Sequence, residues 1–362
     1  MNFNVKKIPP EIGYYLTGFT DAEGCFYVSF SPKTCNTSWD ISPGFNISQK
    51  ERHIIAQFKK HLKCGTVYTN VKTGVSRYDV TNLHALRTHI IPFFKKYNFQ
   101  SAKKKGDFSN FCKVLTILEK PELTRLDVEQ ILTFRINTKV IVAKKKHSDE
   151  KILSVFNDFN TTIKVKQSSE TNTPNSEVSD KHLLIPLMEK EMIESNLCGD
   201  IKAQTELGFY IAGFADGDGS FNVSFRKRDD YRLGWKINPS FSIAQRDKIV
   251  LELFQKKLNC GKTRKGTSEG IWYLEVLNLV DLRTKIVPFF ENYIFLSENT
   301  VKRFKNFKLT LDILSNTPLS RSNVEEILAL QRNPNPNSKA RYSIQDILDR
   351  VDVFLAKQKN RA

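Results

Sequence analysis

At 362 residues the chain is long enough for two domains, and its 40% hydrophobic content with 26 Phe supplies a core that a disordered chain lacks. A formal charge of +17, from 56 Lys and Arg against 39 Asp and Glu, is costly in self-repulsion unless a polyanion is the partner, and nucleic acid is the usual one. The six Cys form no CxxC and no Cys/His cluster at zinc spacing, so they read as reduced packing residues, and no run approaches the roughly 20 apolar residues of a membrane span.

Met1 to Pro10 lacks the apolar core of a secretory signal, and it is short and poor in Ser and Arg for a transit peptide. Pro9 and Pro10 open a short apolar helix that stops at Gly24. Strict alternation follows: Phe26, Val28 and Phe30 face one side, with Tyr27, Ser29 and Ser31 on the other. A second strand holds Phe45 and Ile47 and ends at Gln49. A helix over 51–62 comes next, then two strands flanking Gly74. Helices are predicted over 83–97, 107–118 and about 127–134. Residues 137–204 contain Lys144 to Lys146, a polar run over 167–180 that reads as a flexible linker, and a short helix over 183–193.

From Thr205, a candidate N-cap, the pattern starts again. Tyr15 to Phe26 lines up with Tyr210 to Phe221 at an offset of 195. After one inserted residue the offset is 196, pairing Gln49 with Gln245, Cys64 with Cys260 and Pro92-Phe93-Phe94 with Pro288-Phe289-Phe290. The chain therefore divides into a first unit over 10–135, a linker over 136–205, a second unit over 206–331 and a tail over 332–362 with a helical pattern from Ser343. Each unit reads α-β-β-α-β-β-α, an α+β fold with a small antiparallel sheet, and the two are pseudo-symmetric.

The first helix of each unit carries small residues: Gly13 and Gly18, then Gly208, Ala212, Gly213 and Ala215. Small residues let helix backbones approach closely, so these two helices are predicted to form a seam. Paired in that way, their C-terminal ends bring Glu23 and Asp218 together. A carboxylate there opposes the helix dipole, and two of them raise each other's pKa. A divalent cation removes both penalties, and carboxylate oxygens suit Mg²⁺. Set beside a basic surface, such a site points to phosphodiester hydrolysis. Asp216-Gly217-Asp218-Gly219 also has the start of a calcium loop, but Phe221 stands in the sixth position, where that loop needs Gly. Asp21 and Asp216 read as structural acids that bond backbone at the helix end.

Residues 16–24 and 211–219 resemble the two motifs of a LAGLIDADG homing endonuclease, and the resemblance covers both repeats, roughly two-thirds of the chain. It implies a saddle of antiparallel sheets, with Glu23 and Asp218 as catalytic acids holding Mg²⁺ or Mn²⁺. The backbone contribution at position 22 and its counterpart stays open. It also implies Gln49 and Gln245 near the scissile phosphates, and a basic catalytic residue to which spacing assigns no position. The expected partner is double-stranded DNA, cut in both strands at a long, asymmetric site by a monomer without membrane attachment. An alternative within the family is an RNA maturase for a group I intron, with or without cleavage. An intein is disfavoured by the Met1-Asn2 start and Asn360-Arg361-Ala362 end. The abundance of Lys, Asn, Ile and Phe fits an A+T-rich organellar gene, most simply mitochondrial.

The sheet faces away from the core are the predicted reading surface, since a β-ribbon fits the major groove. In the first unit these are Tyr27, Ser29, Ser31, Asn46, Ser48, Thr69, Arg77 and Asp79. In the second they are Asn222, Ser224, Arg226, Lys236, Asn238, Ser240, Arg264, Tyr273 and Glu275. Mixed polar side chains suit base edges, whereas Lys59-Lys60, Lys103 to Lys105 and Lys144 to Lys146 read as solvated faces, some touching phosphate.

Overall fold

A computed structural model describes residues 3–32, 39–137, 148–155, 163–164, 199–316, 318–331 and 341–359. The Lys144 to Lys146 run, the polar run over 167–180 and the helix expected over 183–193 lie outside the described residues.

The first unit opens with α1 (Pro10–Glu23), started by its prolines. Then come β1 (Gly24–Pro32), β2 (Trp39–Gln49), α2 (Arg52–Leu62), β3 (Thr66–Thr69) and β4 (Ser76–Val80). One continuous helical stretch follows: α3 (Leu83–Ala85), a π-helical turn (Leu86–Ile90) and α4 (Ile91–Lys96). α5 (Ala102–Ile117), β5 (Glu122–Leu123), α6 (Arg125–Asn137), α7 (Asp149–Leu153) and β6 (Ile163–Lys164) complete this half.

The second unit repeats it with α8 (Gly199–Asp218), β7 (Gly219–Lys227), β8 (Trp235–Gln245), α9 (Lys248–Leu258), β9 (Lys262–Lys265) and β10 (Trp272–Val276). α10 (Leu279–Asp281), a second π-helical turn (Leu282–Ile286) and α11 (Val287–Asn292) mirror the first half, as do α12 (Glu298–Ser315), α13 (Arg321–Leu330) and α14 (Ile344–Lys359). Each unit has an antiparallel four-stranded sheet, in the orders β1-β2-β4-β3 and β7-β8-β10-β9. Alternation is what the strand residues dictate: Phe26, Val28 and Phe30 are buried, while Tyr27 and Ser29 are half-buried on the other face.

Two helix starts differ from the expected ones. α8 begins at Gly199, six residues before Thr205. Thr205 does not cap it; its side chain is hydrogen-bonded with Tyr293. α5 begins at Ala102, not at residue 107, because Ser101 is its N-cap and accepts from the Lys104 backbone N–H at 3.2 Å.

One apolar core runs through both units across α1 and α8. Smaller clusters lie at the two ends. Ile152 of α7 packs with Trp39 and Val128 in the first unit. Ile347 and Val351 of α14 pack with Trp235 and Val324 in the second. Ser148 and Ile152 stand 195 residues before Ser343 and Ile347, so α7 and α14 occupy matching places. A short piece of the linker and the tail helix thus each complete the core of the unit before them.

Candidate active site

The site is built on the seam between α1 and α8. Gly18 lies against Tyr210 and Gly213 against Tyr15. A Cβ at either glycine would fall 2.8 Å from the opposing carbonyl carbon. Gly13 and Gly208 do not serve the seam: the rings of Tyr97 and Tyr293, from their own units, cover them.

Because the two helices match along the seam, their C-terminal ends meet. A Cβ at Gly217 would lie 3.0 Å from Cγ of Glu23, so Glu23 sits beside the residue preceding Asp218. Burial pushes the Glu23 carboxyl pKa up, opposed by Lys104. Burial and the Glu23 charge together raise Asp218 from its ordinary 3.8 to about 7. The Lys104 charge opposes both shifts without cancelling them.

Asp21 and Asp216, two residues earlier, do something different. Asp21 accepts from the Ser101 backbone N–H at 3.0 Å, from the Ser101 hydroxyl and from Tyr210 of the other unit. Asp216 accepts from the Ser297 N–H at 3.0 Å and from Tyr15. They do bond backbone, but at the starts of α5 and α12 and not at their own helix ends. Each also ties the seam to the opposite half through a buried tyrosine.

Spacing assigned no position to a basic residue, and the structure places Lys104 beside the acids. It was expected on a solvated face, yet it is only 7% exposed, and its ammonium donates to the carbonyl of Gly24, the residue after Glu23. Helical geometry explains the burial: Lys104, Phe108, Phe111 and Leu115 fall on one stripe of α5. Lys104 lines a cavity of about 130 Å³ with Asp21, Ala22, Ser101 and Lys103 of its own unit and Asp218, Gln245 and Asp247 of the other. Gln245 therefore joins Asp218 there, whereas neither Glu23 nor Gln49 is among the residues lining that cavity. Both glutamines are held alike, each accepting from the following backbone N–H at 2.8 Å.

Among the described residues no three acidic, His or Cys side chains converge into a metal cage. Mg²⁺ does not need one, since one or two carboxylates with waters and substrate phosphates commonly hold it. Glu23 and Asp218, half-buried and with the Glu23 charge raising Asp218, fit that mode. A pH effect follows. Between about pH 4 and 7 the folded protein holds a proton on Asp218 that the unfolded chain has released, so stability from this group falls as pH rises through that window. In metal-free buffer Asp218→Asn should therefore be more stable than the parent, by a margin that opens above pH 4 and levels off above about 7. Thermal melts from pH 4 to 8 test this; a margin that shrinks as pH rises contradicts it.

The predicted reading faces are mostly where the alternation put them. Tyr27, Ser29, Asn46, Ser48, Arg77 and Asp79 are half-buried on the face away from the core, and Ser31 is exposed. Asn222 and Arg226 are exposed and Ser224, Lys236, Asn238, Ser240, Tyr273 and Glu275 half-buried in the second sheet. Their polar groups are linked: Tyr27 and Arg77 both donate to Asp79 at 3.1 Å, and exposed Arg264 donates to Glu275 at 2.9 Å. Ser29 bonds the Ser42 carbonyl at 3.2 Å. Thr69 is the exception. It pairs with Ser76 across the ladder and its hydroxyl bonds that of Ser76 at 2.8 Å, on the face opposite Arg77. Tyr68, paired with Arg77 and 48% exposed, takes the place expected of it. No helix among the described residues is long and apolar enough to cross a membrane.

The profile of the LAGLIDADG endonuclease family matches residues 16–115 and 211–311. The chain is 28% identical over 299 residues to the probable intron-encoded DNA endonuclease 1 of Mycosarcoma maydis, covering 80% of this chain and 95% of that protein. It is 24% identical over 290 residues to the probable intron-encoded endonuclease 2 of Neurospora crassa, covering 77% of this chain; it spans about half, 55%, of that longer relative. The structure of I-SmaMI bound to uncleaved DNA target in the presence of calcium ions superposes with a TM-score of 0.66 at 25% identity, over 90% of this chain and 98% of that one.

Proposed function

Since the chain belongs to the LAGLIDADG endonuclease family and carries both motifs in one polypeptide, we propose that it is a site-specific endonuclease that cuts both strands of a long, asymmetric duplex. The observation that carries this reading is the meeting of Glu23 and Asp218 beside a cavity shared with Lys104 and Gln245. A divalent cation, Mg²⁺ or Mn²⁺, would be held by the two carboxylates and would supply an activated water and charge stabilisation at the leaving oxygen. The protein's own groups do the rest. Burial pushes the Lys104 ammonium pKa down and the Asp21 charge pulls it back up; in its charged form Lys104 would supply a cation beside the acids, and Gln245 and Gln49 offer amides for water or phosphate. Asp21 and Asp216 fix the helices that carry the acids.

The outward faces of the two sheets are the DNA-reading surface: Tyr27, Asn46, Ser48 and Arg77 in one, Asn222, Arg226, Lys236 and Arg264 in the other. The two faces differ in sequence, which is why the target is asymmetric. As two units on one chain, the protein works as a monomer. The intron-encoded names of its relatives support an organellar, mitochondrial gene.

Selection of cleaved sites from a randomised duplex library with Mg²⁺ tests the reading. A single long site of roughly two helical turns is the expected result; binding to structured intron RNA without any duplex cleavage would replace this reading with a maturase. Affinity for the selected site should also collapse with salt. Several phosphate contacts predict a loss of ~10³ or more between 50 and 200 mM salt, measured by fluorescence anisotropy. A flat salt dependence argues against a backbone-contacting mode.

A further inference from the structure

The repeat places different residue types at matching positions of the site, and one difference changes its charge. The alignment that pairs Ser101 with Ser297, Phe108 with Phe304 and Phe111 with Phe307 pairs Lys104 with Thr300 and Asp107 with Arg303. Lys104 and Thr300 occupy the same place, three residues past the N-cap of a helix tied to Asp21 or Asp216, and both are buried. Lys104 delivers its ammonium to the Gly24 carbonyl and to the cavity with Asp218. Thr300 delivers no charge. Its hydroxyl accepts from Arg303 at 3.0 Å, and Arg303 is exposed one turn further along α12. A cation in solvent is screened, whereas one buried beside the reacting groups is not. The electrostatics agree: the charge of Lys104 acts on both Glu23 and Asp218, and that of Arg303 on neither.

We propose, resting on the endonuclease reading above, that the two strand-cutting steps are unequal: Lys104 promotes hydrolysis of one strand, Thr300 gives the other no counterpart, and the duplex is nicked before it is cut through. Each step adds one water across one P–O ester bond. The water oxygen bonds phosphorus, and its protons go to the leaving oxygen and to solvent. A buried ammonium helps by stabilising the negative charge that builds on the phosphoryl oxygens during attack.

The test is a single-turnover assay with Mg²⁺ on the selected duplex, each strand carrying its own label. Wild-type protein should cut one strand at least about tenfold faster than the other. Lys104→Thr should slow that strand by about tenfold or more and leave the other within about twofold, with Lys104→Arg restoring most of the difference. Thr300→Lys should speed the slow strand, and the exchange K104T/T300K should reverse the preference. Affinity for uncut duplex in Ca²⁺ and the melting temperature report whether each variant is folded; if Thr300→Lys is not, the Lys104→Thr arm decides. Equal wild-type rates, or an equal slowing of both strands by Lys104→Thr, overturn the inference while leaving the endonuclease reading intact. Wild-type protein that cuts neither strand removes both.

Discussion

Glu23→Gln and Asp218→Asn should each reduce formation of the double-cut product by about 10³-fold or more with Mg²⁺, while affinity for uncut duplex in Ca²⁺ stays within about threefold. The amides keep the shape of the carboxylates and remove only the charge that would hold the metal. Unfolding is not the route to this loss. Both carboxyls are raised in pKa by burial, and Asp218 also by its neighbour. Removing either charge therefore relieves the folded state at neutral pH. The two variants need not be equivalent, because Lys104 has Thr300, an uncharged residue, as its counterpart in the other half. A residual nick in one strand is compatible with the assignment. Either variant cutting both strands at the wild-type rate is not, and the metal-binding role of these acids would then be wrong.

How much of this site could be read before any coordinates depended on what kind of signal each residue carries. The meeting of Glu23 and Asp218 is legible because the repeat fixes them at the same step of two helices, and a strand of strict alternation starts at the next residue. The outward faces followed from period two alone, which is a local rule. Lys104 was missed for a specific reason. Starting the helix at residue 107 hid the stripe Lys104, Phe108, Phe111 and Leu115, and a run of three lysines then read as a solvated face. The signal was present in Ser101, an N-cap residue three positions before Lys104.

Thr69 failed differently. Its face depends on where β3 enters the ladder against β4, and a one-residue shift in register turns every side chain over. Gly13 and Gly208 looked like seam residues because small residues carry no mark of what covers them. Only the packing shows that Tyr97 and Tyr293 fill that space. The pairing of α7 with α14 was also in the sequence, at Ser148 with Ser343 and Ile152 with Ile347. It lies beyond the stretch where matches are dense, where two isolated identities carry little weight without the packing of α7 and α14.

Gly18→Ala should be strongly damaging, and Gly213→Ala its twin. At Gly18 the new Cβ meets the carbonyl group of Tyr210, with the Phe214 amide nitrogen 3.0 Å away; at Gly213 it meets Tyr15 and Phe19 in the same way. These are backbone atoms of a helix, so no rotamer change clears them and the helices must separate. Separation also pulls Tyr210 from Asp21 and the Gln100 N–H, and Tyr15 from Asp216 and the Leu296 N–H. Overpacking of this kind costs about 1–3 kcal/mol before those bonds are counted, so a fall in melting temperature of roughly 1–4 °C is expected from the clash alone and more once the bonds are lost. Gly106→Ala is the control. Gly106 also lies inside a helix, but nothing stands within 4 Å of its Cβ position, so the same substitution there should stabilise by about 0.5–1 kcal/mol. Cleavage should fall further than stability in the seam variants, because the same displacement moves Glu23 relative to Asp218. A Gly18→Ala protein that melts with the parent and cuts at its rate would mean that the two helices are not in contact at this point, and the shared site would lose its foundation.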